Sequence, residues 1–159
     1  MAIIYITVGC SGSGKSRLAA NVFSDIKEIN ADNIRLSLCG DISDQSKNDE
    51  VFRIVDSMIH ECCVKDEDAI ISNTNLNLNR TIALANEYPK DEFIMLLLRD
   101  SLNKELCWSR IQKDIEDKKV RSNVPYEILG MQCANFKKLV DRLKTEKLPD
   151  NLSFKWIDN

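Results

Sequence analysis

Apolar runs with the length of β-strands recur along the chain, and they differ in pattern from the stretches between them. The clearest runs are residues 2–8 and 93–98, and shorter ones are 27–30, 69–72 and 153–157. Residues 93–98 are continuously apolar, as in a strand covered on both faces, whereas 153–157 alternate like an edge strand. The pattern therefore predicts a sheet of about five strands.

The stretches between these runs repeat their apolar residues every three to four positions, which is the period of a helix. One such face is formed by Val51, Ile54, Val55, Met58, Ile59 and Cys62, and a later one by Leu129, Phe136, Leu139, Val140 and Leu143. Pro125 is expected in the first turn of the later helix, and a shorter helix over 79–88 should end before Pro89. Strands that alternate with helices predict a parallel sheet with right-handed crossovers, in a single α/β sandwich domain spanning 1–159.

Composition narrows the class of protein. Of the 159 residues, 43% are hydrophobic and 30% are charged, and the formal net charge is −3. A packed core is therefore expected, and a broad nucleic-acid-coating surface is not, because such surfaces are basic. This charge leaves room for a small basic pocket that holds one phosphate or one strand end.

Cysteine and histidine usage indicates a reducing compartment. The six cysteines are expected to be small buried residues with one thiol in a loop, since disulfide frameworks belong to short secreted chains. His60 is the only histidine and no CxxC pair occurs, so a zinc site is not expected. The N-terminus lacks the basic region of a signal peptide, and no apolar run reaches membrane-spanning length. We expect a soluble cytoplasmic protein with no membrane partner, and its oligomeric state stays open.

The segment GCSGSGKS at residues 9–16 matches the phosphate-binding loop pattern GxxxxGK[ST] in full. It follows a predicted strand and leads into a helical pattern with Leu18, Ala19 and Val22. Its glycines permit a tight turn around an anion, and the helix start adds partial positive charge. Lys15 can reach the β- and γ-phosphates of ATP, and the Ser16 hydroxyl can ligate Mg²⁺. The predicted ATP-binding residues are Gly9, Cys10, Ser11, Gly12, Ser13, Gly14, Lys15, Ser16 and Arg17.

Polar residues also follow the other predicted strands, and the carboxyl ends of parallel strands meet at one edge of a sheet. The second strand is followed by Asp32 and Arg35, the third by Asn73 and Thr74, and the fourth by Arg99-Asp100. Asp32 and Arg35 are three residues apart and share a helix face. One interpretation is a base for a hydroxyl acceptor beside a phosphate-binding arginine; the other is a helix-start aspartate with a solvated arginine.

The stretch 113–124 is highly charged and poor in core residues. Lys118, Lys119 and Arg121 lie in it, and Arg110 lies on the preceding helix. We interpret this stretch as a mobile lid that closes over the triphosphate, as in many kinases, although interleaved acidic residues also fit a solvated charge run.

Several motifs in this order resemble the 5′-kinase domain of bacteriophage polynucleotide kinase–phosphatase. They are GCSGSGKS, EINADNIR, IISNTNLNLNRT and RSNVPYEI, and they run over most of the chain, from about residue 3 to 126. The resemblance implies the adenylate-kinase-like P-loop fold, a three-layer sandwich with a lid. It also implies ATP-dependent, Mg²⁺-assisted phosphorylation of a 5′-hydroxyl end of DNA or RNA, as in nucleic-acid repair, in the host cytoplasm if the chain is phage-encoded.

The resemblance implies roles for individual residues. Asp32 matches the general base, and Arg35 matches an arginine that holds the acceptor's phosphate next to the reacting end. Lys15 and Ser16 match the P-loop pair, and Asn73 and Thr74 fall in the substrate-binding segment. A lid arginine is expected to stabilise the transferring phosphoryl group; Arg121 is the first candidate and Arg110 the second.

The sequence departs from that family in three ways. Asn73 stands where the family has an aspartate, we expect no phosphatase domain after the last strand, and the net charge is acidic. These departures keep two alternatives open: a P-loop kinase for a nucleoside, sugar or other small hydroxyl compound, and a nucleotide-binding module with little turnover.

Overall fold

The computed structural model describes residues 1–121 and 123–158 and is built around a parallel sheet of five strands. The strands are β1 (Ile3–Val8), β2 (Lys27–Ile29), β3 (Ala69–Ile71), β4 (Glu92–Leu98) and β5 (Leu152–Ile157). Their order is β2-β3-β1-β4-β5, and every neighbouring pair is parallel. The α/β class and the five predicted strands are confirmed, with β5 on an edge as its alternation indicated.

Six α-helices connect the strands: α1 (Lys15–Val22), α2 (Ala31–Cys39), α3 (Asn48–Val64), α4 (Leu78–Glu87), α5 (Lys104–Glu116) and α6 (Tyr126–Leu143), with a 3-10 turn over Arg99–Leu102. Helix α1 packs against one face of the sheet, where its buried Leu18 and Ala19 meet Ile70 and Ile94. Helices α3, α4 and α6 cover the other face together. The molecule therefore has three layers.

Two local expectations differ from the structure. Val22 is 65% exposed, because α1 ends there and only its middle residues face the sheet. Pro125 caps α6 instead of lying in its first turn. Helix α5 ends at Glu116, so the predicted lid stretch 113–124 begins as the end of a helix. Ser122 of that lid lies outside the described residues, and closure of the lid stays a prediction.

The thiols are largely buried. Cys10, Cys62, Cys63, Cys107 and Cys133 are buried, Cys39 is half-buried, and all six are free. Within residues 1–121 and 123–158, no cluster of histidine, cysteine and acidic side chains is arranged to hold a metal ion. None of the helices in this part of the chain combines the length and apolar character that crossing a membrane requires.

The loop that follows β3 is tied to β1 by side-chain hydrogen bonds. The buried Thr7 hydroxyl donates to the carbonyl oxygens of Ile71 (3.2 Å) and Asn73 (2.8 Å). Asn75, in the left-handed region at φ 49°, donates from Nδ2 to the carbonyl of Thr7 at 2.8 Å. These bonds fix the loop at the carboxyl edge of the sheet, beside the loop that follows β1.

Candidate active site

The GCSGSGKS segment forms a tight loop between β1 and α1. Gly12 and Gly14 have φ values of 78° and 102°, which L side chains rarely adopt. A Cβ atom on Gly12 would also lie 2.5 Å from the carbonyl oxygen of Cys107. Among the described residues, no side chain caps the N-terminus of α1, so the first N–H groups of that helix have no side-chain acceptor at the cap. The loop therefore has the form of an anion site at a helix N-terminus.

Three neighbouring elements hold the outer side of this loop. The N–H of Gly9 donates to the carbonyl of Thr74 at 3.0 Å. The N–H of Cys10 donates to the Ser101 hydroxyl at 3.1 Å. The N–H of Ser11 donates to Oε1 of Gln132, on α6, at 2.8 Å. The first half of the loop is therefore anchored to neighbouring elements, and its second half leads into the first turn of α1.

The ammonium group of Lys15 lies inside the loop. Its Nζ donates to the carbonyl of Cys10 at 2.7 Å. Burial lowers the pKa of Lys15 to about 8, and the nearby Arg121 lowers it further, while Cys10 and Asp32 act in the opposite direction. These influences place Asp32 and Arg121 within electrostatic reach of the phosphate-binding lysine, although all three come from different segments.

A cluster of three thiols lies behind the loop. The Sγ atoms of Cys10 and Cys107 are 3.5 Å apart, and Cys133 belongs to the same small core. The hydrogen bond with Cys107 lowers the pKa of Cys10 to about 6, with smaller contributions from Cys133, Ser101 and Lys15. The same bond and burial raise the pKa of Cys107. Cys10 is therefore the most acidic thiol of the cluster.

Asp32 and Arg35 form an ion pair at the start of α2. An Nη1–Oδ1 distance of 2.6 Å joins them, and Nη2 of Arg35 donates to Oδ1 of Asn48 at 2.9 Å. Arg35 is only 5% exposed, so the alternative of a solvated arginine is wrong. Its Nε is buried and has no hydrogen-bond partner in the described part of the chain. The Asp32 side chain, in contrast, is 44% exposed.

Two asparagines fix the start of α2 and thereby the direction of this pair. Oδ1 of Asn30 accepts from the N–H of Asn33 at 2.9 Å, as in an N-cap. Oδ1 of Asn73 accepts from the N–H of Ala31 at 2.8 Å. Asn73 thus links the loop after β3, which also contacts Gly9 through Thr74, to the helix that carries Asp32 and Arg35.

The two candidate lid arginines occupy different positions. Arg110 donates from Nη1 to the carbonyl of Gly12 at 3.1 Å and from Nη2 to Asp100 at 2.9 Å. Arg121 is paired with Asp114 at 2.7 Å. Arg110 therefore contacts the phosphate-binding loop directly, and Arg121 influences Lys15 without a direct bond to it.

Most of the site residues predicted from the sequence lie together. Arg17 and Ser16 are exposed on the first turn of α1, Ser16 next to Lys15. Ser101, Cys107 and Gln132 also contact the loop and are not among the site residues predicted from the sequence. Of these, Gln132 carried a signal, because it lies three residues after Leu129 and so interrupts an apolar helix face.

Comparison with known proteins agrees with this geometry. A family model described as an AAA domain matches residues 4–139. No curated protein matches the chain at a significant level.

Solved structures with the same fold include kinases. A chain of the Pnkp1/Rnl/Hen1 RNA repair complex superposes with a TM-score of 0.76 at 18% identity, over 94% of this chain and 48% of that chain. This chain therefore spans about half the length of that one. Deoxyadenosine kinase from M. mycoides, with dCMP and dCDP, superposes with a TM-score of 0.54 at 17% identity, over 99% of this chain and 90% of that chain. At these identities the likeness establishes the fold. The chain belongs to the AAA domain family, and it is a nucleotide-binding domain with the fold of P-loop kinases.

Proposed function

We propose that this protein is an ATP-dependent polynucleotide 5′-hydroxyl kinase, which transfers the γ-phosphate of ATP to the 5′-OH end of DNA or RNA. The observation that carries the proposal is the buried Arg35 beside the half-buried Asp32 at the carboxyl edge of the sheet, with Nη1 and Oδ1 2.6 Å apart. A neutral acceptor gives no reason to bury an arginine beside its hydroxyl site. An acceptor that bears a phosphate next to its hydroxyl does.

Arg35 has donors to spare for such a phosphate. Asp32 and Asn48 engage Nη1 and Nη2, while Nε has no partner among the described residues. A buried donor without an acceptor costs about 1–3 kcal/mol, which a ligand oxygen would recover once binding shifts the guanidinium enough to uncover Nε. Asp32 is exposed enough to receive a hydroxyl, and Asn48 holds the guanidinium in place.

The transfer follows from these positions. The P-loop N–H groups and Lys15 hold the β- and γ-phosphates of ATP, and Arg35 holds the acceptor's phosphate so that its 5′-OH meets the γ-phosphorus in line. Asp32 accepts the hydroxyl proton, the new O–P bond forms, and the bond to the β-γ bridging oxygen breaks to release ADP. Arg110 and Arg121 neutralise charge that develops on the transferred group.

The residues present fit Mg²⁺ in part. The Ser16 hydroxyl is exposed at the start of α1, where it can ligate the ion. Asn73 adds no negative charge, and its Oδ1 is already bonded to the N–H of Ala31. Held by Ser16, Mg²⁺ would supply positive charge that neutralises the phosphates of the nucleotide. Because only Ser16 among these groups is a ligand, we expect weak metal affinity.

A chain of an RNA repair complex shares this fold, which supports a nucleic-acid end as the acceptor. The test compares a nucleoside with its 3′-phosphate as acceptors for labelled γ-phosphate, alongside a 5′-hydroxyl oligonucleotide. Wild type should label the oligonucleotide and prefer the 3′-phosphate by about tenfold or more in KM, as expected for a charge-assisted hydrogen bond. Arg35→Gln should abolish that preference, and Asp32→Asn should lower kcat on both acceptors while leaving ATP affinity intact.

Arg53→Ala is the matched control, because Arg53 is an exposed arginine on the neighbouring helix α3. Melting curves should confirm that each variant folds. Equal use of nucleoside and nucleoside 3′-phosphate by wild type would instead support a small-molecule kinase. ATP binding without transfer to any acceptor would indicate a nucleotide-binding module.

A further inference from the structure

A cavity of about 370 Å³ lies between α3 and α4, on the side of the sheet away from α1. Its floor is aliphatic, with Ile6 and Ile71 from the strands and Val55 from α3. Its rim is polar and consists of the loop over 73–77, and Phe52 and Arg80 flank it. We name it the α3–α4 cavity. A volume of this size, apolar below and polar at the edge, is typical of a small-ligand site.

The cavity shares a wall with the candidate active site. Asn73 and Thr74 line it, and the same two residues contact Ala31 and Gly9 at 2.8 Å and 3.0 Å. A single loop therefore separates the phosphate-binding loop and the start of α2 from the cavity. A molecule that reacts at Asp32 would pass this loop to enter the cavity.

Helix α3 gives a second connection. Its first residue, Asn48, accepts a hydrogen bond from Arg35 at 2.9 Å. Phe52 follows Asn48 by four residues, so it lies about one turn further along the same face, about 6 Å away along the axis. The residue that holds Arg35 and the aromatic ring at the cavity therefore lie on one face of α3.

The chemistry of the walls suits a flat heteroaromatic ring. The guanidinium of Arg80 lies 5.2 Å from the centre of the Phe52 ring and is held by Asp56 at 2.7 Å. Aromatic rings and arginine planes are the surfaces on which nucleobases stack. Asn73 has its Oδ1 bonded to Ala31, while its Nδ2 has no hydrogen-bond partner among the described residues, which leaves a donor for a base acceptor.

We infer that the α3–α4 cavity receives the terminal nucleobase of the acceptor strand. This inference rests on the proposed 5′-kinase function and adds the place where the base binds. Phe52 supplies the stacking surface together with the Arg80 guanidinium, which already lies over one face of its ring. Asn73 supplies a hydrogen-bond donor at the rim. Because stacking on an aromatic ring depends little on sequence, the site should accept any base with modest preferences.

The experiment measures binding, so it does not depend on turnover. The probe is 2-aminopurine deoxyriboside 3′-phosphate, which has a 5′-OH, and the comparison ligand is its abasic sugar 3′-phosphate. Wild type should bind the base-bearing probe about tenfold more tightly than the abasic ligand, within the range that one stacked base contributes. The fluorescence of the bound 2-aminopurine should also change, because the base leaves water.

Phe52→Leu keeps most of the volume and removes the ring, and Phe52→Ala removes both. In either variant, the affinity ratio between the two ligands should fall towards one, while affinity for the abasic ligand stays as in wild type. Phe154→Ala is the matched control, since Phe154 is 40% exposed on β5, at the opposite edge of the sheet from β2. The control should keep the wild-type ratio.

Three results would overturn the inference. The first is equal affinity of wild type for the two ligands, which includes failure to bind either of them. The second is an unchanged affinity ratio in Phe52→Leu, and the third is a loss of ATP affinity in that variant. The last result would place the base of ATP in the cavity. Failure of the proposed function looks different: the base-bearing probe binds with the expected ratio, but no label reaches any 5′-OH.

Discussion

The charge state of Lys15 gives the sharpest prediction about nucleotide binding. Burial in the phosphate-binding loop lowers its pKa to about 8 from its ordinary value of 10.5. Binding of ATP requires the ammonium form, and the phosphates of the bound nucleotide favour that form. Raising the pH from 7 to 9 should therefore weaken ATP binding, because the free protein must take up a proton to bind.

The magnitude follows from the pKa of about 8. About nine-tenths of the free protein carries the ammonium at pH 7 and about one-tenth at pH 9, so ATP affinity should fall about tenfold, or about 1.4 kcal/mol. ATP itself contributes little in this range, since phosphate monoesters have a second pKa near 6 and are already ionised.

The assay is a calorimetric titration with ATP and Mg²⁺ at several pH values between 7 and 9.5. Lys15→Arg is the control, because its guanidinium stays charged over the whole range, and its affinity should be independent of pH. A flat profile for wild type, or the same slope in Lys15→Arg, would refute the reasoning. Stability should change in the opposite direction: the unfolded chain binds more protons between pH 8 and 10.5, so this lysine makes the folded state more stable as pH rises there.

Other predictions concern the contacts that shape the loop. Gly12→Ala introduces a Cβ 2.5 Å from the carbonyl of Cys107 at a φ of 78°, so ATP binding should be lost and the melting temperature should fall by several degrees. Arg110→Ala removes the 3.1 Å bond to the Gly12 carbonyl and should lower kcat at least tenfold in steady-state assays, whereas an unchanged kcat would exclude a role in transfer. Gln132→Ala removes the 2.8 Å acceptor of the Ser11 N–H and should raise the KM for ATP about fivefold with little change in kcat.

Much of the fold could be predicted from the sequence because each element has a strong local signal. Continuous apolar runs predicted the strands, and a helical repeat predicted α3 and α6, whose buried residues include Val51 and Leu129. The boundaries shifted by a residue or two, since terminal residues are set by caps. Pro125, for example, caps α6 with a φ of −59° and a ψ of 151°, which is extended backbone.

The candidate site could be predicted as far as it follows from strand order. In a parallel sheet, residues after β1, β2 and β3 converge, which brings Lys15, Asp32 and Asn73 to one edge. Contacts between helices could not be predicted in this way. Gln132 meets Ser11 because α6 packs beside the loop, and its position depends on tertiary packing that no local pattern encodes. The burial of Arg35 could not be predicted either, because it depends on the position of Asn48.

Asn73 connects the proposed chemistry with the inferred base site. Its Oδ1 accepts a hydrogen bond from the N–H of Ala31, and an aspartate at the same position would accept the same bond. The direction of α2 and of the Asp32–Arg35 pair therefore does not depend on which of the two residues is present. The two residues differ in the second terminal atom of the side chain. A carboxylate oxygen there would offer a negative charge to hydrated Mg²⁺, whereas Nδ2 of the amide offers a hydrogen-bond donor at the α3–α4 cavity. The substitution therefore keeps the acceptor geometry, weakens the attraction for metal and adds a group that a nucleobase can bond. A chain with this residue is expected to place its acceptor as firmly as an aspartate-bearing relative and to need more Mg²⁺ for the same rate.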